Sequence, residues 1–65
     1  MKHSHYAVSS AIAHLWQTHA PHLRFGQMMY AFEYYLDSIG VDIFYLDDDE
    51  LVGRLQTYLV NLKKS

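Results

Sequence analysis

Phe25, Met28, Met29, Phe32, Leu36 and Ile39 recur at the spacing of one helix face, since 100° per residue brings all of them onto a single stripe. Gln27, Tyr30 and Tyr34 fall on the opposite side. A chain of 65 residues has one core to build, near the lower limit for folding alone, so its heaviest apolar stripe has to lie inside. The residues support a small helical domain with a binding face rather than any particular chemistry.

The remaining elements are placed around that helix. From about Tyr6 to Thr18 a first helix is expected, with Val8, Ile12 and Leu15 on one face and Ala11 and Trp16 at its edges. Residues 1–4 read as a disordered end, although Ser4 is also a suitable N-cap, as is Ser9 for a later start. Pro21 stops the helix by pushing its predecessor out of the α region. The second helix is expected from about Leu23 to Ser38, with Gly40 as its C′ residue. Gly26 lies inside it at a cost of about 1 kcal/mol against alanine, which suggests close approach of another group, such as Trp16.

Val41 to Leu46 is apolar, β-branched and aromatic, and is expected as a short extended arm. It either lays Ile43, Phe44 or Tyr45 across the helices or pairs as a strand with a second chain. Asp47, Asp48, Asp49 and Glu50 then open a third helix. Asp47 and Glu50 match a capping box, and the other carboxylates suit the positive end of the helix dipole. Leu51, Val52, Leu55, Tyr58, Leu59 and Leu62 form its apolar face, with Lys63 and Lys64 at its C-terminal end. The expected fold is therefore all-α, one domain over 1–65, with three helices and an extended arm between the second and third.

Composition narrows the function classes. The chain is 51% hydrophobic and 15% aromatic, too apolar for a disordered segment. It has no cysteine, which removes disulfides and cysteine–zinc clusters. A net charge of −2 gives no electrostatic footprint for nucleic acid. No apolar run approaches the ~20 residues of a membrane span, and the N-terminus does not read as a signal peptide. A cytoplasmic protein is the default expectation.

Specific chemistries find little support. The acidic run lacks the alternating acids, central glycine and final glutamate of a calcium loop. His3 with His5, and His19 with His22, have usable metal spacing, but no acid or cysteine stands near either pair. His19 is expected as a satisfied, partly buried imidazole. There is no nucleophile elbow and no glycine-rich phosphate loop, so no catalytic residue, metal or cofactor is assigned. A helix-turn-helix fails as well. Its turn would be too long, and carboxylates would occupy the start of the recognition helix.

What remains is the outward face of helix two. Arg24, Gln27, Tyr30 and Tyr34, with Asp37 beside them, form a candidate surface for a protein partner or a homodimer. The alternative for the tyrosines is a second layer of core. Arg24 has a structural alternative too, as a clamp on Asp42, Asp47 or Asp48.

Trp16, the run Pro21-His22-Leu23-Arg24-Phe25-Gly26-Gln27 and the run Asp42-Ile43-Phe44-Tyr45-Leu46-Asp47-Asp48-Asp49-Glu50-Leu51 carry a likeness. The chain resembles a group of short bacterial and prophage proteins. These share a helix-one tryptophan, Pro-Asp-Leu-Arg-Phe-Gly-Gln, and Asp-x-Phe-Tyr followed by acids and Glu-Leu. The likeness spans about residues 9 to 55, and His22 departs from it by replacing an aspartate that would cap helix two. It implies a self-contained cytoplasmic protein and no particular activity. It also implies that Trp16, Arg24, Gly26, Gln27, Phe44, Tyr45 and Asp48 act as one unit, with the arm folded over the start of helix two.

Three functional expectations follow. The first is an interaction module, prophage- or plasmid-associated, that uses the aromatic face of helix two. The second is a ligand-binding or catalytic protein with Arg24, Gln27, Tyr45 and Asp48 as its polar cluster. The third is an immunity- or antitoxin-type inhibitor that blocks a basic partner.

Overall fold

The computed structural model describes residues 4–64. His3, and with it the His3–His5 pair and the first three residues of the expected disordered end, lies outside the described residues. The elements are α1 (His5–His19), α2 (Phe25–Ser38), a 3-10 turn (Ile43–Tyr45) and α3 (Asp48–Lys64). This is an all-α three-helix domain.

Each helix begins where a side chain or a backbone constraint requires it. Ser4 is the N-cap of α1, its hydroxyl accepting from the Ala7 N–H at 3.0 Å, so one orphan donor of the first turn is satisfied. At the far end the Ala20 N–H donates to the Trp16 carbonyl. The turn through Pro21 then delays α2 by two residues against the expected start at Leu23. The Leu23 N–H is bound to the Ala20 carbonyl at 3.1 Å, and the Leu23 carbonyl accepts from the Trp16 indole at 2.7 Å. Arg24 follows with extended backbone, φ −71 and ψ 154, and the helix starts at Phe25.

The C-terminus of α2 follows the expectation. Gly40 has φ +76, the left-handed region that glycine enters without a Cβ clash. The Gly40 N–H reaches the Asp37 carbonyl at 3.1 Å and the Val41 N–H reaches that of Leu36 at 2.9 Å. These two bonds together are the Schellman closure of a helix.

The segment after Gly40 corrects the extended arm. Asp42 and Leu46 have extended backbone, but Ile43–Tyr45 between them wind into one 3-10 turn. Asp42 Oδ1 accepts from the Phe44 N–H at 2.9 Å, the aspartate turn that competes with strand geometry. The N–H groups of Tyr45 and Leu46 then bond to the carbonyls of Asp42 and Ile43. Donors used inside a turn are not offered to a second chain, so this segment presents no strand for intermolecular pairing. Positions i and i+3 eclipse in a 3-10 turn, and Ile43 and Leu46 accordingly both pack on the core. Phe44 and Tyr45 turn outward.

The start of α3 differs from the expected box in its glutamate. The Asp47 carbonyl accepts from the Leu51 N–H at 2.8 Å, which puts Asp47 at the cap position. Glu50 reaches forward instead, pairing with Arg54 at 3.1 Å. An i, i+4 pair at the surface contributes only about 0.3–0.5 kcal/mol, but it occupies the carboxylate that a capping box needs.

The core is Leu15 and Ala20 from α1 and its end, Met28, Phe32 and Leu36 from α2, and Leu55 and Leu59 from α3, all buried. Ile12, Trp16, Met29, Leu51, Val52 and Tyr58 pack at its edges. The backbones of α1 and α3 approach most closely. Aromatic rings help to seal α2 onto α3, with Tyr35 and Tyr58 at 4.9 Å and Phe32 and Tyr58 at 5.8 Å between centroids. The helix-two stripe is buried only in its middle. Phe25 and Ile39, at its two ends, are both 46% exposed. Leu62 is exposed in the same way at the end of α3.

Candidate functional site

The outward face of α2 carries Tyr30 and Tyr34 at 73% and 72% exposure. Four residues apart, they are neighbours one turn along the helix. Neither is a second layer of core. That role falls to Tyr35, half-buried against Tyr58. Gln27, Glu33 and Asp37 are exposed on the same element.

Gln27 and Arg24, the polar half of the candidate face, have different fates. The Gln27 side-chain oxygen accepts from the Arg24 N–H at 2.9 Å. This is the reciprocal half of a capping box, and it compensates for a cap residue whose guanidinium cannot accept a hydrogen bond. The Arg24 side chain is exposed and forms no ion pair among the described residues, so the clamp onto Asp42, Asp47 or Asp48 is not made.

The group expected to act as one unit has separate sets of neighbours. Trp16 donates to the Leu23 carbonyl and tilts against Phe25, with ring centroids 5.3 Å apart. Phe44 and Tyr45 meet each other edge to face at 5.1 Å and stay 81% and 78% exposed. Asp48 stands at the start of α3, where it lines a concavity of about 230 Å³ with Ala7, Val8, Ala11 and Val52. Gly26 faces open space, with nothing within 4 Å of where a Cβ would stand, so close approach does not account for it. With Gln27 used as a cap, no concavity among the described residues gathers Arg24, Gln27, Tyr45 and Asp48.

The chain matches no protein-family model, no curated protein and no solved structure.

Two further concavities are present among the described residues. One of about 350 Å³ is lined by Tyr35, Glu50, Gly53, Arg54 and Thr57, and three of its polar side chains are engaged. Arg54 pairs with Glu50, and the Thr57 hydroxyl donates to the Gly53 carbonyl at 3.1 Å. The other, of about 460 Å³, is formed at the α1–α2 corner by residues including His19, His22, Leu23 and Leu62. His19 is half-buried as expected, but its Nδ1 is buried without a hydrogen-bond partner, so the expected satisfied imidazole is not what the fold provides. Among the described residues no group of three or more His, Asp or Glu side chains is arranged to hold a metal ion.

Exposed aromatics are thus the surface feature that the fold leaves without an internal role. Tyr6, at the start of α1, is 83% exposed as well. Periodicity places Tyr30 and Tyr34 opposite the apolar stripe. The expected arm lays Ile43, Phe44 or Tyr45 across the helices, and of these Ile43 packs on the core while Phe44 and Tyr45 are exposed. The available signal was Asp42 two residues before Phe44, the aspartate-turn spacing that winds the segment and turns both rings out.

Proposed function

We propose that this chain is a small cytoplasmic protein-interaction module that docks another protein through the aromatic face of α2. The observation that carries the proposal is the exposure of Tyr30 and Tyr34 one turn apart on the side opposite the core. Tyrosine is enriched at interfaces because it buries a large area while losing few rotamers, and its hydroxyl keeps a partner. The likeness to short bacterial and prophage proteins belongs to this proposal and brings no activity with it. The inhibitor reading is its special case, in which the partner is basic.

No helix among the described residues is long and apolar enough to cross a membrane.

The test is crosslinking and capture from the native host with the wild-type chain and with Tyr30→Ser/Tyr34→Ser. A protein captured by the first and lost with the second, at unchanged melting temperature, supports the α2 face. Equal capture by both removes it. Light scattering across a concentration series addresses self-association separately.

A further inference from the structure

All seven Asp and Glu residues fall in the stretch from Glu33 to Glu50, and no lysine or arginine stands between Arg24 and Arg54. The exposed Phe44–Tyr45 pair sits within this stretch. Asp42 is two residues before Phe44, and Asp47 and Asp48 are two and three residues after Tyr45. At no more than about 3.6 Å per residue, the backbones of Asp42 and Asp47 stay within roughly 7 Å of those of Phe44 and Tyr45 respectively, and that of Asp48 within roughly 11 Å of that of Tyr45. Asp47 and Asp48 are exposed and form no ion pair among the described residues.

The two rings are presented by an ordered turn. The Asp42 side chain and the N–H groups of Phe44, Tyr45 and Leu46 close it, and Ile43 and Leu46 anchor it to the core. The rings already meet each other edge to face on this closed backbone, so burying them loses little further backbone entropy. Resting on the reading of the chain as an interaction module, we infer that the Phe44–Tyr45 turn is the anchor point for a cationic segment of a partner protein. Arginine is the residue it fits best. A guanidinium stacks on an aromatic face while its N–H groups reach carboxylates at the edge.

The charge also decides against a second copy as occupant. An isologous contact through this turn sets Asp42, Asp47 and Asp48 against their own copies, and like charges brought together across an interface are repelled. A partner bearing arginine or lysine removes that repulsion.

The test uses the full chain, 15N-labelled, in an NMR titration with the peptides acetyl-Arg-Gly-Arg-Gly-Arg-amide and acetyl-Glu-Gly-Glu-Gly-Glu-amide. The expected result is a saturable shift of the amides of residues 42–48 with the arginine peptide and none with the glutamate peptide. Phe44→Ser/Tyr45→Ser, which keeps every carboxylate, should weaken that binding about tenfold. Asp47→Asn/Asp48→Asn, which keeps both rings, should weaken it as well. Shifts spread over all the acids and indifferent to Phe44→Ser/Tyr45→Ser would overturn the anchor, since they mean diffuse ion attraction. Shifts centred on Tyr30 and Tyr34 instead would overturn the turn as the site. A dimer in light scattering that Phe44→Ser dissociates would overturn the cationic occupant. The capture experiment with the Tyr30 and Tyr34 variant is read independently, so failure of the anchor and failure of the interaction reading are distinguishable.

Discussion

The indole Nε1 of Trp16 donates to the backbone carbonyl of Leu23 at 2.7 Å, fastening α1 to the last residues before α2. The bond holds Leu23 outside the helix and brings Phe25 against the indole. Trp16→Phe keeps most of the packing and removes the donor, so a loss of about 0.5–1.5 kcal/mol is expected, measured by urea denaturation. Unchanged stability would mean that water replaces the indole at no cost.

The glycines should separate by conformation. Gly40, at φ +76, should lose about 1 kcal/mol on change to alanine. Gly26 and Gly53 lie within helices with open space where a Cβ would stand. Gly26→Ala and Gly53→Ala should each raise stability by about 0.4–1 kcal/mol. Thermal melts of the three variants, read as changes in melting temperature of opposite sign, check the assignment.

Leu55 is completely buried at the centre of the α3 stripe. Leu55→Ala should cost about 2–5 kcal/mol, a large fraction of the stability of a domain this small. Chemical denaturation is the measurement, and a cost below that of an exposed-site change would place the core elsewhere.

Capping gives a finer comparison at α1. Ser4→Ala removes the acceptor for the Ala7 N–H and should cost about 0.5–2 kcal/mol. Ser4→Asp restores an acceptor and adds a charge suited to the helix N-terminus, so it should return the lost stability. Helical circular dichroism followed through a melt distinguishes the two.

At Gln27, one side chain belongs to both the candidate face and the architecture. Gln27→Ala removes the bond to the Arg24 N–H and should cost about 0.5–1.5 kcal/mol, detected as a lower urea midpoint with the slope retained. Gln27→Glu keeps the acceptor and should retain most of the stability. If Gln27→Ala weakens capture of a partner, comparison with Gln27→Glu separates a contact from a frayed helix start.

Much of the architecture was legible in the residues themselves. The number of helices, the break at Pro21, the stop at Gly40, the caps at Ser4 and Asp47, and the buried set Leu15, Phe32, Leu36, Leu55 and Leu59 all follow from periodicity and local backbone chemistry. Those are interactions between residues no more than about one turn apart, and sequence spacing encodes them directly. The position of Tyr30 and Tyr34 opposite the stripe is legible for the same reason, but their exposure, rather than burial in a second layer, is decided by the fold.

The tertiary structure decided what depends on distant partners. Phe25 and Ile39 belong to the apolar stripe by angle, yet both stay 46% exposed at the ends of the helix, Phe25 even with Trp16 set against it. Leu23 stays outside α2 because Trp16, seven residues earlier, holds its carbonyl. Phe44 and Tyr45 face outward because packing of Ile43 and Leu46 on the core selects the wound turn over an extended arm. Periodicity tells a residue which side of its own element it occupies. Whether another element covers that side is set by the assembled fold.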